Sequence, residues 1–131
     1  MKYMLDTNTV IYAVNKNEKV IERILECDLD DLCISSITLA ELEYGICNSE
    51  KQYYNRMVLM MFLSKFSIVD FDALAAKEYG DIKSSLKKQG SIIGPNDLLI
   101  AAHARSCDLT LVTNNVKEFE RVEGLKIENW V

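Results

Sequence analysis

Histidine occurs once in this chain, proline once, and the four cysteines are widely scattered. No C-x-x-C pair exists among Cys27, Cys33, Cys47 and Cys107. Neither a zinc site nor a disulfide framework is therefore expected, and the thiols read as small buried apolar side chains or inert thiols. Serine or cysteine nucleophile chemistry lacks its partners, because there is no G-x-S-x-G and a single histidine leaves few options for a base. The phosphate-cradling G-x-x-x-x-G-K-S/T and G-x-G-x-x-G loops are missing too. The longest wholly apolar run, Met57 to Leu63, is too short to span a bilayer, and Met1 to Leu5 meets Asp6 before a signal-peptide core can form. A soluble cytoplasmic protein with no membrane partner is expected. The only loop rich in chain breakers is Gly90 to Asn96, and no repeat or linker divides the 131 residues, so one domain over 1–131 is expected.

What remains is an apolar fraction of 49%, ample for a packed core, and a formal net charge of −5. That charge opposes a uniformly basic nucleic-acid face and would suit a basic peptide partner. Cations cluster locally at Lys83, Lys87 and Lys88, and again at Arg105, Lys117 and Arg121. Solvation and helix-end complementation explain the first group as well as phosphate contact does.

Strand and helix signals alternate from end to end. Strands are expected at Lys2–Asp6, Leu32–Ser35, Ser67–Phe71, Leu109–Thr113 and Lys126–Trp130. Helices are expected at Thr9–Val14, Glu18–Glu26, Thr38–Cys47, Asn48–Phe66, from Asp72 as a cap to Gln89 with Gly90 beyond it, and Pro95–Ser106. The Met57–Leu63 run is apolar all round its helix, which implies burial by the core or by a second copy. This order specifies an α/β fold with helices on both faces of a sheet. Ligands of such sheets gather beyond the carboxyl ends of the strands.

Four acidic segments map to that edge: Asp6 after the first strand, Glu41 and Asp97 in helices that follow strands or their loops, and Thr113-Asn114-Asn115 with Glu118 after a late strand. Singly, each acid has an ordinary explanation. Thr38 and Glu41 have capping-box spacing, Asp97 suits a helix N-terminus, and Asp6 can begin an Asx-turn. Together, at close range, they repel and call for a divalent cation. Carboxylates with Mg2+ or Mn2+ are suited to phosphodiester cleavage. His103 follows Asp97 by six residues and points roughly 120° away from it, so it reads as a partly buried helix residue outside the site.

The segments Met4-Leu5-Asp6-Thr7-Asn8, Ser35 to Gly45, Ile93 to Ala104 and Leu111 to Val122, with Gly124 to Trp130, resemble the PIN-domain ribonucleases along the whole chain. More narrowly they resemble the VapC toxins of type II toxin–antitoxin modules. The resemblance implies a three-layer α/β/α sandwich with a central, mostly parallel sheet. It also implies Mg2+- or Mn2+-dependent RNA cleavage with a tRNA anticodon loop favoured, a VapB-like antitoxin partner, and a homodimer within a larger assembly. Asp6, Glu41 and Asp97 match the family's three acids. Asn115 stands where many relatives carry a fourth, and Glu118 takes that place in this subgroup. Thr7 and Thr113 carry over as hydroxyls that position phosphate or carboxylate.

On this reading Asp6 and Asp97 ligate the ion, Glu41 or Asp97 orients the attacking water, and surface cations hold the RNA. Two other classes compete. A catalytically silent PIN-like module would bind RNA or protein without cutting. A phosphoacceptor module also gathers acids at a sheet edge, but it wants adjacent acids after the first strand and a late lysine, where this chain has Thr7, Asn114 and Asn115.

Overall fold

The computed structural model describes residues 1–131. Five strands, β1 (Tyr3–Leu5), β2 (Leu32–Ser35), β3 (Ser67–Val69), β4 (Thr110–Val112) and β5 (Lys126–Glu128), form one sheet in the order β3-β2-β1-β4-β5. All four pairings are parallel, with Tyr3 opposite Leu32 on one side and Thr110 on the other. The helices are α1 (Thr7–Val14), α2 (Glu18–Glu26), α3 (Ser36–Cys47), α4 (Gln52–Leu63), α5 (Ala73–Gln89), α6 (Pro95–Ser106) and α7 (Val116–Phe119).

Alternation along the central strands divides the core in two. Tyr3, Leu5, Leu32, Ile34 and Val112 face one side and pack with Val10, Ala13, Val20, Leu42, Ile46, Leu59 and Leu63 of α1–α4. Met4, Cys33 and Leu111 face the other and pack with Ile82 and Leu86 of α5, with α6, and with Phe119 of α7. The result is the expected three-layer α/β/α sandwich. The inner strands are apolar on both faces, as a covered parallel sheet requires. Each fully buried residue such as Leu5, Leu32 or Leu111 contributes about 1.5–3 kcal/mol.

The expected boundaries shift where polar side chains capture backbone groups. Helix α1 begins at Thr7, because Asp6 caps it by accepting from Thr9 N. Helix α3 begins at Ser36, because the Ser35 hydroxyl accepts from Ile37 N. Thr38 is thus inside the helix and the expected Thr38–Glu41 capping box does not form; the buried Thr38 hydroxyl has no partner. The expected Asn48–Phe66 helix starts only at Gln52, after a turn in which Asn55 donates to the Ser49 hydroxyl and Gln52 donates to Cys47 O. Strand β5 stops at Glu128, and Trp130 packs edge-on against Tyr3 at 5.1 Å. Helix α4 buries Leu59 and Leu63 but exposes Met57, Met60 and Met61, so the apolar run is only partly core. Cys33 is buried with its thiol pushed up to about 12, and Cys47 and Cys107 are exposed. No helix is long and apolar enough to cross a membrane.

The strand order reverses between β1 and β4. From β1 the chain builds outward through β2 and β3, then returns to add β4 and β5 on the opposite flank. The connection after β1 leads to α1 on one face, and that after β4 leads to α7 on the other. A crevice at such a reversal is where open α/β sheets bind ligands. Asp6 ends β1 and Thr113 ends β4, so both lie at it.

Candidate active site

Asp6 is fastened to the sheet and almost wholly buried. Its backbone N–H donates to Val112 O at 3.0 Å, and its Oδ1 accepts from Thr9 N at 2.8 Å. Burial raises its carboxyl pKa; the Thr113 hydroxyl and the Thr9 groups work against this, and the charge of Glu41 adds to it. Thr113 in turn accepts from Asn115 N at 3.0 Å, which turns the chain from β4 into α7.

Glu41 projects from the second turn of α3. With no capping box to serve, its carboxylate takes partners from two other helices. The Thr7 hydroxyl donates to Oε1 at 2.6 Å, and Asn96 Nδ2 donates to Oε2 at 3.2 Å.

Asp97 sits in the first turn of α6, with Pro95 ahead of it at the helix start. Its pKa is raised to about 7, first by burial, then by its hydrogen bond to Glu118 and the charges of Glu118, Asp6 and Glu41. Glu118 is held below the usual range by the Asn115 amide and the Gly94 N–H, which donates to Oε1 at 3.1 Å. Asn115 Nδ2 hydrogen-bonds Glu118 and lies 3.4 Å from Asp97 Oδ2, so one amide bridges two carboxyl groups.

The structure brings Asp6, Thr7, Glu41, Asp97, Thr113, Asn115 and Glu118 into one neighbourhood at this crevice. His103 lies outside it. It is fully buried, more so than expected, with Nδ1 2.7 Å from the Ser35 hydroxyl and Phe71 edge-on at 5.5 Å. Arg105 is also withdrawn from any phosphate role, because it is paired with Glu78 and donates to Glu123 O. Asn96, the Gly94 N–H and helix α7 were not anticipated. A four-residue helix shows no periodicity, and Asn96 carried no signal beyond a polar side chain beside Asp97.

No set of three acidic, histidine or cysteine side chains converges to hold a metal ion in the arrangement seen. The donor set nonetheless fits Mg2+ or Mn2+. It offers hard carboxylate oxygens only, and burial together with the neighbouring negative charges raises the Asp97 pKa to about 7. Mg2+ retains several waters and takes one or two carboxylates directly, so a closed cage is not required.

The PIN domain family profile matches residues 3–125. This chain belongs to the PIN-domain family, in its VapC branch. It is 48% identical to Ribonuclease VapC2 of Rickettsia felis over 132 aligned residues, covering 99% of this chain and 98% of that one. It is 46% identical to the tRNA(fMet)-specific endonuclease VapC of Shigella flexneri, again over 99% and 98% of the two chains. The DNA-bound VapBC crystal structure from Salmonella typhimurium contains a chain that superposes with a TM-score of 0.95 at 42% identity, covering 100% of this chain and 99% of that one.

The buried His103 gives a test of packing between the acid-bearing helices. Burial lowers its pKa from 6.5, while Asp72 and Asp70 oppose the shift, and its Nε2 has no partner to receive a proton's hydrogen bond. The unfolded chain thus takes up a proton that the folded one resists. Stability from this group is present above about pH 6.5 and is lost as the pH falls through the folded pKa. Urea titrations between pH 5 and 7 are expected to show His103→Leu with a flatter stability profile than the parent. Parallel profiles would remove His103 from this account.

Proposed function

We propose that the protein is a metal-dependent endoribonuclease toxin that cleaves structured RNA, with a tRNA anticodon stem-loop as substrate, and is neutralised by a VapB-like antitoxin. One observation carries the proposal. Four carboxyl groups from distant segments lie around the β1/β4 crevice, where burial, then the hydrogen bond to Glu118 and the charges of Glu118, Asp6 and Glu41, raise the Asp97 pKa to about 7. A divalent ion would relieve the repulsion among them. The ribonuclease names of full-length relatives support the same chemistry, and the Shigella flexneri relative's name supports tRNA as the substrate class.

Asp6 and Asp97 would hold the ion, with Glu118 beside Asp97. When bound, Mg2+ or Mn2+ lowers the pKa of water and stabilises charge on the phosphate oxygens. Glu41, held by Thr7 and Asn96, would accept the proton of the attacking water. Asp6 is fixed by backbone and hydroxyl donors, so it presents its carboxylate without reorganisation. Lys117 on α7 and Lys87 and Lys88 at the end of α5 are exposed cations for the RNA backbone. Bases of a single-stranded loop are open to reading in a way that a paired RNA helix is not.

An apolar groove of about 320 Å³ lies between α1, α3 and α4, lined by Ile11, Val14, Leu42, Ile46, Val58 and Leu59 and reaching Glu41 at one end. An amphipathic antitoxin helix with a terminal Arg or Lys would fill it and set that cation among the carboxylates. The Salmonella typhimurium relative is found in a VapBC complex, which supports such a partner. The exposed Tyr53, Tyr54, Met57, Met60 and Met61 of α4 offer further apolar surface for a homodimer and a larger assembly.

RNA-end sequencing after brief expression is expected to reveal discrete cuts in a tRNA loop. EDTA should abolish cleavage by the purified protein, and added Mg2+ or Mn2+ should restore it. Undiminished cleavage in EDTA would refute metal dependence, and a protein that binds RNA without cutting it under any cation would be the silent module.

A further inference from the structure

Glu41 is the one acid of the cluster gripped by side chains alone on both carboxylate oxygens. The two grips come from the immediate sequence neighbours of the two candidate ion-binding aspartates. Thr7 follows Asp6 and donates to Oε1, while Asn96 precedes Asp97 and donates to Oε2. A carboxylate only accepts, so it is the amide NH2 of Asn96 that faces it. Glu41 stands on a third helix and reaches the cluster through three side-chain torsions, each free to rotate if nothing holds the end. The two donors tie its end to the backbone units that carry Asp6 and Asp97. They leave one acceptor direction on each oxygen open for a water proton, and they already answer part of the charge that an ion would otherwise recruit.

We propose that Asn96 is a positioning residue for cleavage: together with Thr7 it clamps the Glu41 carboxylate in register with Asp6 and Asp97, so that Glu41 acts on the attacking water instead of serving as an ion ligand. This rests on the nuclease reading above. It assigns a role to a side chain on the solvent edge of the site, where an ordinary exposed asparagine would do nothing. Small misplacements of a reacting group cost large factors in rate, so the loss of one of two grips should be visible in turnover.

The test uses the full chain and four variants, Asn96→Ala, Asn96→Gln, Thr7→Val and the Asn96→Ala/Thr7→Val double. Four quantities are read: single-turnover rate at saturating RNA, KM, Mn2+ affinity by calorimetry without RNA, and melting temperature. Asn96→Ala is expected to slow the chemical step about tenfold, with KM, Mn2+ affinity and melting temperature near the parent values. Asn96→Gln retains the amide donor on a longer stem and should recover most of the rate. The double variant should be scarcely slower than the worse single one, because both donors serve the same carboxylate. The proposal is overturned by any one of four results. These are an Asn96→Ala rate equal to the parent, Mn2+ affinity falling in step with rate, a Gln variant no faster than the Ala variant, or rate losses that multiply in the double. A parent protein that cleaves no RNA overturns the nuclease reading itself, and this proposal with it.

Discussion

Asp97→Asn is expected to reduce RNA cleavage by roughly a thousandfold while making the metal-free protein more stable above neutral pH. The first effect follows from losing a ligand to the ion; such charge stabilisation is worth several kcal/mol, and each 1.4 kcal/mol is a factor of about ten. The second follows from linkage. The folded pKa of Asp97 is raised from 3.8 to about 7, so the folded protein holds a proton that the unfolded chain has released. The contribution of that proton is present below 3.8 and lost as the pH rises through about 7. Asparagine has nearly the same shape and never ionises, so it escapes the loss. Because Asp97 is partly open to water, the gain should be on the order of 1 kcal/mol, a rise of a few degrees in melting temperature at pH 8. Near pH 4 the difference should shrink. Mg2+ should raise the melting temperature of the parent and leave the variant unmoved. Thermal melts in EDTA at pH 4 and 8, with and without Mg2+, check all three. A variant that is less stable than the parent at pH 8 would contradict the repulsion on which the site assignment stands.

The second large effect is expected at a residue that touches no substrate. Phe119 is fully buried in the cluster with Met4, Leu111, Leu109 and Val122, and it is the anchor of α7. A helix of four residues has no stability of its own, so α7 exists because Phe119 is packed. Asn115 and Glu118, which hold Asp97, ride on that turn. Phe119→Ala should cost about 3–5 kcal/mol and lower the melting temperature by roughly 10–20 °C. Leu86→Ala, in the same cluster but far along α5, should cost about 2–5 kcal/mol. The two differ in function. At temperatures where both remain folded, Leu86→Ala should cleave at nearly the parent rate. Phe119→Ala should be slow, with amides of residues 116–121 exchanging quickly. Equal rates for the two would show that α7 does not organise the site.

The exclusions drawn from scarcity were legible because they depend on residue types alone. One histidine, no C-x-x-C pair and no phosphate-cradling loop can be read from the chain however it folds. Strand and helix order was legible too, since buried strands such as Leu32–Ser35 and caps such as Asp72 and Gly90 are local signals. Boundaries were less so. Ser35 and Thr38 both have capping chemistry and both are fully buried; the point where the extended backbone of β2 turns into α3 decides that Ser35 captures the helix end. The same competition hid the role of Glu41, which had a plausible local partner in Thr38 and found distant ones in Thr7 and Asn96.

The sequence by itself determined that Asp6, Glu41, Asp97 and Glu118 would stand near the ends or beginnings of their elements, because turns, caps and apolar runs act over a few residues. The tertiary structure alone decided that these points share one crevice. Strand order is set by which faces pack, and packing joins residues as far apart as Thr7 and Glu41, or Gly94 and Glu118, across separations that no local pattern encodes.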